Sequence, residues 1–228
     1  MKNIKFKISL IAIFCFGLSG LKAQTVKDID GNSYNTVTIG TQVWMAEDLK
    51  VFHYRNGDAI PYVNIGQYWA VLNTGAYCYY DGWSASRVRL YNWFAINDAR
   101  GLAPTGWHIP SDAEWKTLID FVDSTDFRKD KTGDRDVFPG GKLKETGISN
   151  WHSPNTNATN ESGFSALPGG FRFDNGLYQY IGEHGFWWCS TVFDDNNAWY
   201  QAMNYNDDYI DTQHRNKKFG FSVRCIKD

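Results

Sequence analysis

The chain has 228 residues, of which 17 % are aromatic and 21 % are charged, and its formal net charge is −2. That much apolar area excludes a disordered chain, and near neutrality excludes a nucleic-acid binder that depends on attraction to phosphates. The 21 glycines and 6 prolines favour a turn-rich β or α+β domain over a helical bundle. The length predicts a single domain.

The N-terminus has the layout of a secretory signal peptide. Lys2, Lys5 and Lys7 precede an apolar run over 8–21, and a short stretch ending at Ala23 leads into polar residues. The run is too short to cross a bilayer, which needs about 20 apolar residues. We therefore expect cleavage after Ala23.

Removing the leader, residues 1–23, changes the charge, because it carries four lysines and no acid. The mature domain, residues 24–228, then has 19 Lys and Arg against 25 Asp and Glu, a net charge of −6. Such a protein should not adhere to anionic membranes or to DNA. No later stretch reaches transmembrane length. We expect a soluble exported protein, either secreted or held in the periplasm or at the cell surface.

The first half of the mature chain mixes strands and turns. Residues 26–51 are predicted to form strands, with Asp30-Gly31 as a hairpin signal. Residues 77–80 form a short apolar strand pattern. Apolar side chains at helical spacing, ended by Gly101, predict a helix over 90–100.

The clearest local signal is a capping box. Ser111 is predicted to accept a hydrogen bond from the third helical amide, and the Glu114 side chain to fold back onto the residue 111 amide. One apolar face follows, which predicts a helix over 112–123. Residues 140–145 are expected to form one short helical turn.

The C-terminal third has the pattern of a β meander. A turn at 174–176 separates 171–173 from 177–180, which predicts a hairpin. Further strands are expected at 186–189, 198–202, 209–210 and 219–226.

Three cysteines remain after the leader is removed: Cys78, Cys189 and Cys225. In an exported protein, one disulfide and one spare thiol is the simplest arrangement. Their spacing matches no zinc or redox motif, so we expect structural cysteines.

Enzyme motifs are absent from the sequence. No two of the five histidines are spaced to share a helix face around a metal, and no serine nucleophile motif occurs. The adjacent acids at 194–195 and 207–208 are more typical of turns than of an acid–base pair. The five histidines are His53, His108, His152, His184 and His214.

Three oxygen-rich stretches raise calcium binding as an alternative to ordinary turns, although none follows the EF-hand order. The first is Asp130, Asp134 and Asp136; the second is Asp194, Asp195, Asn196 and Asn197; the third is Asn204, Asn206, Asp207, Asp208 and Asp211. Turn formation is the simpler interpretation of all three, so no cofactor is predicted.

Aromatic rings interleaved with amides and acids are typical of sugar-binding surfaces, where rings stack on sugar C–H groups and polar side chains bond the hydroxyls. The same pattern also fits the buried face of a sheet, so strand alternation should bury about half of these rings. The candidate ligand-binding residues are Trp199, Tyr200, Asn204, Tyr205, Asn206, Asp207 and Arg215.

Eight motifs together resemble the Fibrobacter succinogenes major paralogous domain family. They span nearly the whole mature chain, at 28–34, 39–49, 89–93, 106–115, 140–147, 162–170, 197–200 and 220–225. The helix start after Pro110 and the terminal strand are similar to those of formylglycine-generating-enzyme-like domains. That resemblance implies an α+β, C-type-lectin-like single domain, with irregular loops and two helices flanking a twisted antiparallel sheet.

The resemblance also bears on the cysteines. Many relatives have Cys where this chain has Ala103, and commonly Ser where it has Cys189. This exchange implies a disulfide between Cys189 and Cys225, with Cys78–Cys225 as the competing pair. Formylglycine-generating enzymes also need two nearby redox cysteines. No two cysteines here are close in sequence, so the resemblance does not support carrying over that activity.

The sequence therefore predicts an exported, non-catalytic module that binds a glycan or a surface protein. Two alternatives remain open: an extracellular enzyme of the formylglycine-generating-enzyme-like group, and a structural or adhesion component.

Overall fold

The computed structural model describes residues 24–80, 88–124 and 139–228. This part of the chain forms 13 strands in three antiparallel sheets and four helices, of which only one exceeds five residues. The expected α+β lectin-like architecture is therefore wrong, because strands dominate the described residues and no pair of long helices flanks a sheet.

The strands are β1 Thr25–Lys27, β2 Ser33–Ile39, β3 Gln42–Met45, β4 Tyr77–Tyr79, β5 Arg89–Asn92, β6 Trp107–His108, β7 Gly169–Arg172, β8 Tyr178–Ile181, β9 His184–Val192, β10 Asn197–Asn204, β11 Asp211–Asn216, β12 Gly220–Phe221 and β13 Ile226–Lys227. The helices are α1 Gly66–Ala70, α2 Trp93–Ile96, α3 Asp112–Ser124 and α4 Gly140–Leu143. The first sheet has the order β1-β2-β3-β13-β6, the second β4-β5-β12-β7-β8 and the third β11-β10-β9.

The first sheet begins with the hairpin that the sequence predicts. Strands β1 and β2 pair antiparallel around a turn in which Gly31 has a φ of 80°. Asp28 closes this turn, since its carboxylate accepts hydrogen bonds from the Asn32 amide at 2.9 Å and from the hydroxyl of Tyr34. A positive φ favours glycine, which explains the Asp-Gly signal.

The predicted helix over 90–100 is wrong. Its first residues form β5, which pairs with β4 and β12, and only Trp93–Ile96 is helical. The chain changes from strand to helix at Asn92. The side-chain oxygen of Asn92 accepts hydrogen bonds from the amides of Ala76 and Ala95, at 3.0 and 3.1 Å. The strand partners lie outside this segment, β4 just before it and β12 far along the chain, so helical spacing alone could not reveal them.

The capping box at α3 is confirmed. A Glu114 carboxylate oxygen accepts hydrogen bonds from the amide and hydroxyl of Ser111, both at 2.7 Å. The Glu114 amide in turn donates to the Ser111 hydroxyl at 3.3 Å. The short turn expected at 140–145 is confirmed as α4.

The C-terminal meander is confirmed with two corrections. Strands β7 and β8 form the predicted hairpin, and β9, β10 and β11 form the third sheet. Tyr209 and Ile210 lie outside the strands, and β11 begins only at Asp211. The stretch 219–226 is not one strand, because β12 belongs to the second sheet and β13 to the first.

A buried ion pair lies where the chain crosses between these two sheets. The Arg224 guanidinium contacts the Asp48 carboxylate, with Nε at 2.8 Å, and the Trp187 indole donates to the same carboxylate oxygen at 2.9 Å. Arg224 also donates to the backbone carbonyls of Met45 and Phe164. This network connects segments that are 176 residues apart in the chain.

The expected disulfide is wrong: Cys78, Cys189 and Cys225 are all buried and unpaired. Each lies in a different hydrophobic cluster, so neither proposed pair is in contact. Burial raises the pKa of the Cys78 thiol to about 11 and also raises those of the other two. The cysteines behave as small apolar core residues.

Most of the aromatic excess forms the core. Eight of the nine tryptophans in the described residues are buried, and only Trp199 is partly exposed. Within this part of the chain, no helix has the length and apolar character needed to span a bilayer.

Candidate functional site

The predicted ligand-binding residues fall into two groups at opposite ends of β10. Trp199 lies near the start of the strand and Asn204 at its end, about 17 Å apart at the rise of an extended chain. Tyr200 lies between them and is buried in the core. Arg215 is exposed and lies over the Tyr200 ring, with 5.8 Å between guanidinium carbon and ring centroid. The predicted ligand-binding residues therefore do not lie together in one continuous site, because they are placed at the two ends of β10.

At the far end of β10, two predicted ligand residues hold a buried lysine. The Lys144 ammonium donates to the backbone carbonyls of Asp207 at 2.6 Å, Asn204 at 2.9 Å and Thr156 at 3.0 Å. It also lies 5.5 Å from the centroid of the Trp151 ring. Desolvation lowers the pKa of Lys144 to about 8. The charged ammonium has three N–H donors, and the three carbonyls accept one hydrogen bond from each of them. The main chain at Asn204 and Asp207 thus has a structural role.

The rest of this loop is also bound to its surroundings. Tyr205 donates its amide to the Glu183 carbonyl at 2.9 Å, and its ring packs partly buried against the core. The Asn206 side chain is exposed. Asp208 accepts from the Gly140 amide at 2.9 Å and also bonds the Asn157 side chain. The loop 204–209 therefore fastens the segment around α4 to the third sheet.

The glycine pair Gly140-Gly141 lies where the start of α4 packs closely against neighbouring backbone. A Cβ on Gly140 would lie 2.4 Å from the Tyr209 carbonyl oxygen, and one on Gly141 would lie 2.3 Å from the Asn157 carbonyl oxygen. Only glycine allows such close backbone approach. The Gly-Gly-x-x-Lys motif is visible in the sequence, but this role is not, because it depends on contacts with Asn157 and Tyr209.

At the near end of β10, three aromatic rings form a surface cluster. Trp199 and His214 are directly opposite each other in the β10–β11 register. The rings of Phe193 and His214 stack at 3.7 Å with an angle of 3°, while Trp199 stands edge-on to both, at 5.1 and 5.7 Å. Phe193 remains 45 % exposed. We call Phe193, Trp199 and His214 the aromatic cluster.

The adjacent turn is rigid. Both oxygens of Asp194 are used within it, since they accept from the Asn197 side chain at 2.9 Å, and one also accepts from the Asn196 and Asn197 amides at 2.8 Å. These bonds lower the pKa of Asp194. This turn connects β9 to β10 and holds Phe193 beside Trp199.

The titratable side chain of His108 has structural partners on both ring nitrogens. His108 lies between two carboxylates, with Nδ1 2.7 Å from Asp228 and Nε2 2.8 Å from Glu114. Desolvation lowers its pKa, but the two hydrogen bonds outweigh that effect, so the pKa is raised. Within the described ranges, no three His, Cys, Asp or Glu side chains are arranged to hold a metal. The acidic stretch at 130–136 lies outside those ranges.

These observations define a mostly β domain with three antiparallel sheets and an aromatic cluster at the surface of the third. The profile of the Fibrobacter succinogenes major domain family matches residues 37–227, and the chain belongs to this family. No curated protein and no solved structure matches the chain.

Proposed function

We propose that this protein is an exported, non-catalytic module that binds a glycan through the aromatic cluster. The observation that carries the proposal is that Phe193, Trp199 and His214 gather at the surface, whereas the other described tryptophans are buried. Single exposed rings are common on protein surfaces, whereas rings that gather in one patch are typical of interaction sites, which supports a binding role.

The chemistry of the cluster suits a sugar chain. Ring faces attract the C–H groups of a pyranose, and the imidazole of His214 can exchange hydrogen bonds with hydroxyls. Thr212, an exposed polar side chain two residues before His214, lies on the same face of β11 as the cluster. The rigid Asp194 turn keeps Phe193 in place before binding, which lowers the entropic cost of association.

Export is the second part of the proposal. It rests on the basic, apolar and small-residue layout of residues 1–23. Mass spectrometry of the protein secreted by its host should give a chain that begins at Gln24. A mature protein that retains the first 23 residues would contradict cleavage.

Affinity electrophoresis in gels containing xylan, β-glucan or mannan tests the binding site. We expect at least one polysaccharide to retard the wild-type protein, and Phe193→Ala to weaken that interaction about tenfold through loss of one stacked ring. Trp199→Ala should abolish it. Phe121→Ala is the matched control, because Phe121 is also 45 % exposed but lies on α3. It should migrate like the wild type.

Folding must be measured beside binding, since Trp199 also packs against the core. Circular dichroism should show that Phe193→Ala unfolds at the wild-type temperature. Because the aromatic cluster has no carboxylate, EDTA should leave retardation unchanged. Equal retardation of Phe193→Ala and wild type, or no retardation by any polysaccharide, would contradict the proposal.

A further inference from the structure

A groove of about 480 Å³ lies beside the β7–β8 hairpin, and its lining shares no residue with the aromatic cluster. One wall is the hairpin turn with Asn175, Leu177 and Tyr178; Asn64 and Tyr80 complete the lining. The rings of Tyr80 and Tyr178 are 5.2 Å apart and inclined at 51°. The volume is within the range of small-molecule sites.

Two glycines form the base of the groove. A Cβ on Gly176 would lie 2.3 Å from the Cα of Gly66, so the two backbones meet where no side chain could fit. Gly176 also has a φ of 89°, which favours glycine in the hairpin turn. The depth of the groove depends on this contact.

A buried arginine fixes the two walls relative to each other. Arg172 donates to the Gly176 carbonyl at 3.0 Å on one wall, and to the carbonyls of Asn64, at 2.7 Å, and Val63 on the other. The Trp69 and Tyr178 rings lie 4.5 and 4.7 Å from its guanidinium carbon. Because these bonds exist without ligand, the groove is formed before binding and little ordering is needed.

The chemistry of the lining points to one class of ligand. Among the described residues, it combines two tyrosine rings, two asparagine amides, one exposed leucine and glycine backbone, and none of these lining residues carries a carboxylate, ammonium or guanidinium group. An ionic ligand would find no partner of opposite charge there, whereas a polyhydroxyl ligand could stack on the rings and bond the amides.

We propose that this groove binds a short neutral saccharide, as a second site independent of the aromatic cluster. The residues that contact the sugar are Tyr80, Tyr178, Asn64 and Asn175. Arg172 does not contact the sugar; it positions the two walls through its hydrogen bonds to their carbonyls.

Isothermal titration with xylo-, gluco- and manno-hexasaccharides, and with an oligogalacturonate, tests the proposal. We expect one neutral hexasaccharide to bind, and Tyr178→Ala to weaken it about tenfold, while Tyr178→Phe keeps the ring and most of the affinity. Leu177→Asp should also weaken it. Ile148→Asp is the matched control, because Ile148 and Leu177 are 65 % and 64 % exposed.

Hydrogen exchange locates the bound sugar. In the presence of the hexasaccharide, the amides of Gly176 and Leu177 should be protected, in the wild type and equally in Phe193→Ala. Unchanged binding by Tyr178→Ala and Leu177→Asp, binding of the oligogalacturonate alone, or no protection at the hairpin would overturn the proposal. These measurements do not depend on Phe193. A failure of the groove proposal can therefore be distinguished from a failure of the aromatic-cluster proposal.

Discussion

Single residues in this protein often have roles that their type does not reveal. His108 looks like an isolated surface histidine in the sequence, yet it joins the start of α3 to the last strand through Glu114 and Asp228. Trp199 and Tyr200 are neighbours in one motif, but only Trp199 reaches the surface. The exposure of Trp199 depends on its strand position and on a distant partner, His214, neither of which local sequence specifies.

The His108 contacts predict a pH dependence of stability. Folding raises the pKa of His108 above its ordinary 6.5, so its contribution to stability is present below pH 6.5 and is lost as pH rises through the raised value. Hydrogen bonds from Ser111 and His108 outweigh desolvation and lower the pKa of Glu114 below 4.5. That second contribution is present above pH 4.5 and is lost as pH falls through the lowered value.

Urea unfolding of wild type and His108→Gln at a series of pH values measures the difference. Between pH 4.5 and 6.5 the wild type should be more stable than the variant, and this advantage should shrink on the alkaline side. A constant difference across the series would show that the imidazolium is not responsible.

Elements formed by local contacts were predicted well, and those formed by distant contacts were not. The capping box predicted the start of α3 correctly, because its two partners, Ser111 and Glu114, are only three residues apart in the sequence. Strand β5 looked helical because its pairing lies outside the segment itself, with β4 just before it and with β12 far away in the chain. The contact of the loop after β10 with Lys144 is another that the sequence did not reveal, because the two partners are about 60 residues apart.

The three hydrogen bonds of Lys144 should contribute to the stability of the fold. Lys144→Met would leave three part-buried carbonyls without this donor, so we expect a loss of about 2–4 kcal/mol in the free energy of unfolding. Lys142→Met is the matched control, since that lysine is only half-buried and should lose under about 1 kcal/mol. Denaturant titration of both variants measures these losses, and similar values for the two would refute the assigned role.

At the scale of the whole molecule, the fold class could not be derived from the motifs. The motifs identified the family correctly, but the implied lectin-like architecture does not match the three antiparallel sheets. The chain joins two of these sheets between β12 and β13, where Arg224 meets Asp48. A buried pair across 176 residues leaves no local signal in a sequence.

This pair should be essential to the fold. Asp48→Ala would leave the Arg224 charge buried and uncompensated, which costs about 3–5 kcal/mol of unfolding free energy. The neighbouring Glu47 is partly exposed and bonds only Asn35, so Glu47→Ala should cost under about 1 kcal/mol. Chemical denaturation compares the two, and a stable Asp48→Ala protein would contradict a central role for the ion pair.

The central claim is that a glycan binds the aromatic cluster at the surface of the third sheet. Hydrogen–deuterium exchange, with and without the polysaccharide that retards the protein, tests it most directly. Glycan binding at the cluster should slow exchange in 193–199 and in Asp211–Asn216, with little change in α3. Bound polysaccharide with unchanged exchange in both segments would contradict it.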